Sequence, residues 1–304
     1  MKFWIFFLIY LTSPCSLLAQ QPDQTIARVS YAFSHIRDTM DRNHPYKENM
    51  LLILGKNASL YTSADKIEQI QRLTDFAKAQ IKANGGTLNN IVMQKGLIKP
   101  VSKADFYFFS DTQKSITVES VMTTKYRVDE QPTTISWKIS KDTLSFNGIH
   151  CQKATAYFKG RNWIAWFAPE LPFATGPWKL NSLPGLIIEA YDERKEVQFS
   201  FAGLENVQDK IPEVKEEVIT IGTANMLTER KTYFGKDIEI PSNALKTTRA
   251  EMDRLKLALA DNPAAAISSQ SVGATTVKRI SGPSTPIIKR NTYNNPIELP
   301  EIKK

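Results

Sequence analysis

Cys151 and His150 are adjacent residues of types that can together form a nucleophilic dyad. Cysteine catalysis needs a base within hydrogen-bond reach of the thiol, whereas neighbouring residues on a strand point to opposite faces of a sheet. The pair is therefore a poor dyad by itself, and His35 or His44 would have to approach in space. We interpret Cys151 as a free, packed thiol. A redox-labile or metal-contacting thiol and a nucleophile remain the alternatives.

A second candidate for chemistry is the carboxylate group formed by Glu170, Glu189, Asp192 and Glu193. Two carboxylates at a suitable separation can serve a hydrolase, but they can equally be surface and turn residues. The sequence contains no H-x-x-x-H or C-x-x-C spacing, no P-loop, no G-x-S-x-G and no Rossmann glycine pattern. It therefore predicts no cofactor and no metal.

Aromatic and turn-forming residues concentrate between residues 163 and 188. Gly176-Pro177 forces one bend, and Leu183-Pro184-Gly185-Leu186 suits a type II turn, with glycine at the position that needs a positive φ. Such a corner is either a scaffold element or a loop that lines a ligand groove. The residues that we expect along such a groove are Trp163, Trp166, Trp178, Leu183, Pro184 and Gly185.

The first nineteen residues have the layout of a signal peptide: Lys2, an apolar run over 3–11, and Ala19 before the expected cleavage site. The apolar run is shorter than the ~20 residues that span a bilayer. A transmembrane anchor and lipidation at Cys15 are the alternatives. Cleavage leaves Cys151 as the single cysteine, which excludes an internal disulfide. We expect an exported protein in the periplasm, at the outer-membrane periphery or secreted.

The formal net charge is +8, and removing Lys2 lowers it to +7. The basic residues are spread along the chain, as on a solvated surface. Without a basic motif the sequence predicts no nucleic-acid partner.

The hydrophobic pattern predicts an α+β fold that is mainly antiparallel β. Residues 26–36 alternate as a half-buried strand, and 65–83 carry an apolar helical stripe with a capping-box pattern at Asp65 and Glu68. Strands follow near 50–54, 105–110, 115–122, 124–128, 133–139, 151–159, 162–168, 185–192, 196–205 and 214–221, with a helix from Ser242 to Asn262. We expect a curved sheet, or a partly open barrel or half-barrel, with a few helices packed on it. The expected domain is 20–262, followed by a flexible tail at 263–304. The last segment of that tail, 295–299, is locally apolar again and is a candidate for docking.

Residues 147–192 carry a resemblance to a known family. Cys151 with Lys153-Ala154, Gly160-Arg161 with Ala165-Trp166-Phe167, Gly176-Pro177-Trp178-Lys179 and Leu183-Pro184-Gly185-Leu186-Ile187 follow one another as they do in the GLPGLI proteins. The terminal Asn295-Pro296-Ile297-Glu298-Leu299 resembles that family's ending. Ser182 replaces the first glycine of the naming motif. The resemblance implies export, a β-rich fold and a Bacteroidetes envelope setting, and it brings no established activity.

Two kinds of function remain open at this stage. The first is a binding or interaction module for an apolar ligand, a peptide or an envelope protein. The second is an enzyme that uses Cys151 or the Glu189 and Asp192 region, and a purely structural or assembly role is a further alternative. Asp38-Thr39-Met40 and Asp142-Thr143-Leu144 also fit a short O-glycosylation pattern at Thr39 and Thr143.

Overall fold

The structure is a computed structural model, and it describes most of the chain. The described residues are 23–85, 98–122, 124–131, 134–208, 220–221, 224–225, 232–233, 235–261 and 293–301. The expected signal peptide lies outside them. No helix within these ranges is both long and apolar enough to cross a bilayer.

The described secondary structure is mostly β. The strands are β1 (Asp23–Gln24), β2 (Ala27–His35), β3 (Tyr46–Leu54), β4 (Ala58–Ser63), β5 (Ala104–Phe109), β6 (Lys114–Val121), β7 (Thr124–Asp129), β8 (Lys138–Phe146), β9 (Ile149–Phe158), β10 (Arg161–Ala168), β11 (Leu186–Asp192), β12 (Val197–Asn206), β13 (Thr220–Ile221), β14 (Ala224–Asn225), β15 (Asp237–Ile238) and β16 (Leu245–Thr247). The helices are α1 (Ala64–Ala83) and α2 (Arg249–Asp261).

Twelve of these strands form one large, curved sheet that does not close. Their order is β16-β7-β6-β5-β4-β3-β2-β12-β11-β10-β9-β8, and the short strands pair as β1 with β15 and β13 with β14. Within the large sheet every pairing is antiparallel except that of β16 with β7. The predicted fold class, α+β with a curved antiparallel sheet and few helices, is confirmed.

Two-residue turns set the register at the β8–β9–β10 end of the sheet. Asn147 and Gly148 both have positive φ angles, and so do Lys159 and Gly160. This is the geometry of type I′ hairpins, whose twist matches that of the flanking strands.

The inner face of the sheet is covered by residues 169–185, which join β10 to β11 and which we call the connector. Trp178, Leu180 and Leu183 of the connector belong to the main core cluster, together with apolar side chains of β2, β3, β9, β10, β11 and β12. Lys179 reaches Glu130 beyond β7, on the other half of the sheet. The sheet therefore curves around part of its own chain.

The outer face of β3 to β6 is covered by α1. Ile67 of the helix packs with Ile53, Leu60 and Tyr107 in a second cluster. The predicted helix is confirmed, but the predicted capping box is wrong. Ser63, the last residue of β4, caps the helix by accepting a hydrogen bond from the Lys66 amide at 2.9 Å.

Two other sequence-based boundaries need correction, and one lies mostly outside the described residues. The strand predicted at 133–139 lies at Lys138–Phe146, because the Asn147-Gly148 turn fixes its C-terminal end. The helix predicted from Ser242 begins at Arg249, since Leu245–Thr247 pairs with β7 instead. The strand predicted at 214–221 falls mostly outside the described residues.

The Leu183-Pro184-Gly185 corner also differs from the predicted type II turn. The Gly185 amide donates to the Leu183 carbonyl at 2.8 Å, which defines a tighter three-residue turn. Gly185 has a φ of +157°, far from the value of about +80° in a type II turn. A Cβ atom on Gly185 would lie 2.2 Å from the carbonyl oxygen of Ala168. Glycine is required here because two backbones meet.

Left-handed backbone occurs at two other positions in the connector. Ser182 has a φ of 69° and Trp178 a φ of 57°. Such values are uncommon for residues with a Cβ atom, and more so for bulky ones. Ser182 therefore adopts a backbone conformation that favours glycine, the residue that the GLPGLI motif has at the corresponding position.

These contacts generate a stability prediction for the connector. We expect Gly185→Ala to lower the free energy of unfolding by about 3 kcal/mol or to prevent folding, because the methyl group would overlap a main-chain carbonyl. Ser182→Gly should change it by no more than about 1 kcal/mol, since relief of left-handed strain offsets the greater freedom of glycine in the unfolded chain. Urea titrations measure both changes.

The matched control is Gly203→Ala in β12, where a new Cβ would meet nothing within 4 Å. We expect a change within about 0.5 kcal/mol. Equal losses for Gly185→Ala and Gly203→Ala would contradict the close approach at Gly185.

Candidate functional site

The residues expected along a ligand groove do not line one surface. Trp163 is fully buried, and its indole N–H donates to the Phe158 carbonyl at 3.0 Å. Its ring centroid lies 5.5 Å from that of Trp178, which is also buried. Leu183 and Gly185 are buried as well. These four residues belong to the packed corner.

The other two groove candidates lie elsewhere. Trp166 is half-buried and packs edge-on against Phe146 of β8. Pro184 is exposed at the tip of the turn. The gap beside Trp178 has a volume of about 10 Å³, which is room for one water molecule.

Cys151 is a free thiol buried on β9. Burial raises its pKa to about 11, and the charges of Glu170 and Glu189 act in the same direction. Its sulfur lies 3.7 Å from the carbonyl oxygen of Ile149, while His150 is exposed. Burial and a raised pKa both disfavour the thiolate, so Cys151 is poorly suited to act as a nucleophile.

The expected carboxylate group is divided by the sheet. Glu170 and Glu193 are exposed, and Glu189 is half-buried with its pKa raised by burial. Asp192 is buried, and its Oδ1 accepts the amides of Glu196 and Val197 at 2.6 and 2.8 Å. Its Oδ2 accepts a hydrogen bond from Nη1 of Arg161 at 2.8 Å. Asp192 is thus engaged in a structural network.

That network holds residues 293–301, which we call the terminal segment. All five N–H groups of the Arg161 guanidinium are used. Nη1 donates to Asp192 and Glu196, while Nη2 donates at 2.6 Å to the Asn295 side chain and at 2.6 Å to the Pro296 carbonyl. Nε donates to the Ile297 carbonyl at 2.8 Å. Three of the five acceptors therefore come from the terminal segment.

Asn295 is the residue through which the terminal segment is anchored. Its amide donates to the Arg37 carbonyl at 3.1 Å, and its side-chain nitrogen donates to the Ile36 carbonyl at 2.6 Å. Its carbonyl lies 2.8 Å from Nε2 of His35. Buried polar groups thus fix residues 293–301, which agrees with docking of the apolar 295–299 segment and limits the expected flexibility of the tail over 263–304. Residues 262–292 lie outside the described residues.

The anchor is a buried charge cluster in which no group is more than 4% exposed; its members are His35, Arg161, Asp192, Glu196 and Asn295. Burial by itself would raise the pKa of Glu196, but hydrogen bonds from Arg42 and Arg161 outweigh it and lower the pKa. Buried charges are tolerated only when they are paired and hydrogen-bonded. Removing the terminal segment would therefore take away three of the five acceptors of Arg161.

The C-terminal half of the terminal segment makes ionic and close-packed contacts with the β9–β10 turn and with the connector. The Leu299 amide donates to the Lys159 carbonyl at 3.0 Å, and a Cβ on Gly160 would come within 2.6 Å of Leu299. Glu298 accepts from Lys179 of the connector at 2.7 Å and lies 3.6 Å from Lys159. The segments that carry the GLPGLI resemblance thus meet here.

Two cavities adjoin the docked segment. One of about 540 Å³ is lined by Tyr157, Asn162, Arg194 and Pro300, among others. The other, of about 150 Å³, lies between Glu130, Lys159 and Lys179. Both have mixed polar and charged walls. Within the described part of the chain, no three potential metal ligands converge.

Thr39 and Thr143 are both exposed. Thr39 lies in the turn after β2, where its amide donates to the Asn294 side chain, and Thr143 lies at the irregularity of edge strand β8. The proposed O-glycosylation sites are therefore sterically accessible.

Sequence reasoning identified Gly160-Arg161 only as part of a resemblance, and the terminal motif both as part of that resemblance and as a locally apolar candidate for docking. It did not connect them, because they are separated by more than one hundred residues. The signals that could have done so are an arginine beginning a predicted strand and an apolar motif closing a polar tail.

Comparisons with known proteins add little to this site. No family model matches the chain, and no curated protein does. Two solved structures of PNGF-II, in space groups C2 and P21, are similar to it with a TM-score of 0.47 and 10% identity in each case. The match covers 76% of this chain but 32% and 33% of those chains, so this chain spans about a third of their length.

The contacts of Asn295 generate a second prediction. Asn295→Ala removes hydrogen bonds inside a buried cluster and should destabilise docking of the terminal segment by about 2 kcal/mol. Asn294→Ala is the matched control, because Asn294 makes its hydrogen bonds at the exposed surface. Hydrogen exchange at the Leu299 amide reports docking directly. Equal protection in the two variants would contradict the anchoring role of Asn295.

His35 generates a prediction about pH. Burial lowers its pKa to about 4, and the nearby Arg37 and Arg161 contribute in the same direction. A depressed histidine pKa makes the native state resist protonation, so stability is complete above pH 6.5 and is lost as the pH falls from 6.5 towards 4. The loss should reach at most about 3 kcal/mol.

The measurement is the slope of unfolding free energy against pH between 7 and 5. We expect His35→Gln to flatten this slope. His150→Gln, at an exposed position of β9, should leave it as in the wild type. A slope unaffected by His35→Gln would contradict the assignment.

Proposed function

We propose that this chain is an exported binding module of the GLPGLI family, and that it recognises an extended peptide segment at the Arg161 end of its sheet. The observation that carries the proposal is the docked terminal segment itself. A buried arginine with two buried carboxylates forms a preorganised receptor for the main-chain carbonyls of Pro296 and Ile297.

In such a receptor, main-chain contacts supply affinity and side-chain contacts supply specificity. Hydrogen bonds to peptide carbonyls do not depend on side chains, as in other modes of extended-peptide recognition. Selectivity comes from Asn295 in the buried cluster, Leu299 against Gly160, and Glu298 facing Lys179. The preferred ligand is an Asn-Pro-apolar-acidic-apolar segment.

The filled inner face favours a peptide over an apolar small molecule. Half-barrels that carry apolar ligands need an open concave cavity. Here the side chains of Trp178, Leu180 and Leu183 occupy that space. An enzymatic role has less support. Cys151 is a buried thiol with a raised pKa, and the Asp192 carboxylate is paired with Arg161.

The test is binding of a labelled peptide with the sequence of residues 293–301 to the full chain carrying Asn295→Ala. This variant weakens its own segment and keeps every receptor side chain. A tethered segment competes at an effective concentration in the millimolar range. We therefore expect the variant to bind the peptide at least tenfold more tightly than the wild type in fluorescence anisotropy.

The control ligand is the same peptide with alanine in place of Asn295, which should bind neither protein measurably. Failure of the native peptide to saturate a folded Asn295→Ala chain would refute the proposed peptide site.

A further inference from the structure

We propose that the Arg161 receptor also accepts the terminal segment of a second copy of this chain, so that copies associate by exchanging this segment. This inference rests on the proposed function, because it requires a receptor that binds the segment as a separable ligand. It goes further by naming the partner.

The first support is the cost of an empty receptor. Without the segment, three donors of Arg161 lose their acceptors, in a cluster that is almost completely buried while the segment is docked. Unpaired buried donors and charges are strongly unfavourable. A segment of the same chemistry restores all three acceptors, and every other copy carries that sequence.

The second support is the number of residues that precede the segment. The last described residue before it is Asp261, at the end of α2, so 31 residues separate α2 from Tyr293. A chain of that length can span up to ~100 Å. The start of α2 is already close to the receptor, since Arg249 and Lys179 contact the same Glu130 carboxylate. The available length thus greatly exceeds what a return within one copy needs.

The third support is that the docking contacts involve only residues of the terminal segment and of the receptor. The segment contacts β2, the turn between β9 and β10, β10 and the connector, through Asn295, Glu298 and Leu299. A second copy could supply the same contacts without any change in the receptor. Exchange of an identical element between copies is a known route to association.

The experiment uses site-specific cross-linking in full-length chains. Lys159→Cys marks the receptor and Glu298→Cys marks the segment, at side chains 3.6 Å apart. One chain carries only the first substitution, and a larger tagged chain carries only the second. The two are mixed in denaturant, refolded together at protein concentrations from ~10 µM to ~1 mM to bracket the effective concentration of the tether, and treated with a short bismaleimide.

We expect a heterodimer linked between positions 159 and 298, identified by mass spectrometry, with a yield that rises at least fivefold over this concentration range. Excess free peptide of residues 293–301 should suppress it. Each single variant refolded alone controls for linkage through other cysteines. A chain carrying both substitutions should form the link internally at low concentration.

The outcomes separate the two proposals. Internal linkage in the double variant, with peptide binding by Asn295→Ala but no heterodimer at any concentration, would overturn segment exchange and leave the peptide receptor standing. Absence of peptide binding together with absence of the heterodimer would overturn both. A heterodimer that free peptide does not suppress would also overturn exchange, because the segment would then not be seated in the receptor.

Discussion

A sheet that curves without closing exposes an apolar inner face, and the fold depends on how that face is covered. In this protein the connector between β10 and β11 covers it. Trp178 packs on Trp163, and Leu180 and Leu183 complete the core. Burial of this much apolar surface is the dominant favourable contribution to folding. The close backbone approach at Gly185 follows from it, because the connector must turn back directly under β10.

The second constraint is the buried guanidinium of Arg161. Its five donors are satisfied by two carboxylates of the sheet and by three acceptors of the terminal segment. A buried ion cluster of this kind adds little net stability compared with an apolar core, but it strongly penalises any arrangement that leaves a member unpaired. Its main effect is therefore expected on specificity, and in the proposed function it selects the segment that docks.

These two constraints explain why the peptide proposal is preferred to the other functions considered. The inner face is occupied by the protein's own side chains, whereas the receptor at the end of the sheet is occupied by a segment that is remote in sequence. The first arrangement is ordinary core packing. The second has the features of recognition, because main-chain carbonyls, one asparagine and one acidic side chain are each met by a matching group.

Several elements followed from the sequence alone because their signals are local. The alternation over 26–36 identified β2, and the apolar stripe over 65–83 identified α1. The order of the strands, the seating of the connector and the pairing of Arg161 with Asn295 required the tertiary structure. They join residues that are far apart in the chain, and no local propensity encodes which distant surface a segment will cover. The tryptophans illustrate the same limit. Their closeness in the sequence suggested one aromatic groove. In the structure, Trp163 and Trp178 lie in the core, whereas Trp166 points to the other face of β10 and is half-buried against Phe146 of β8.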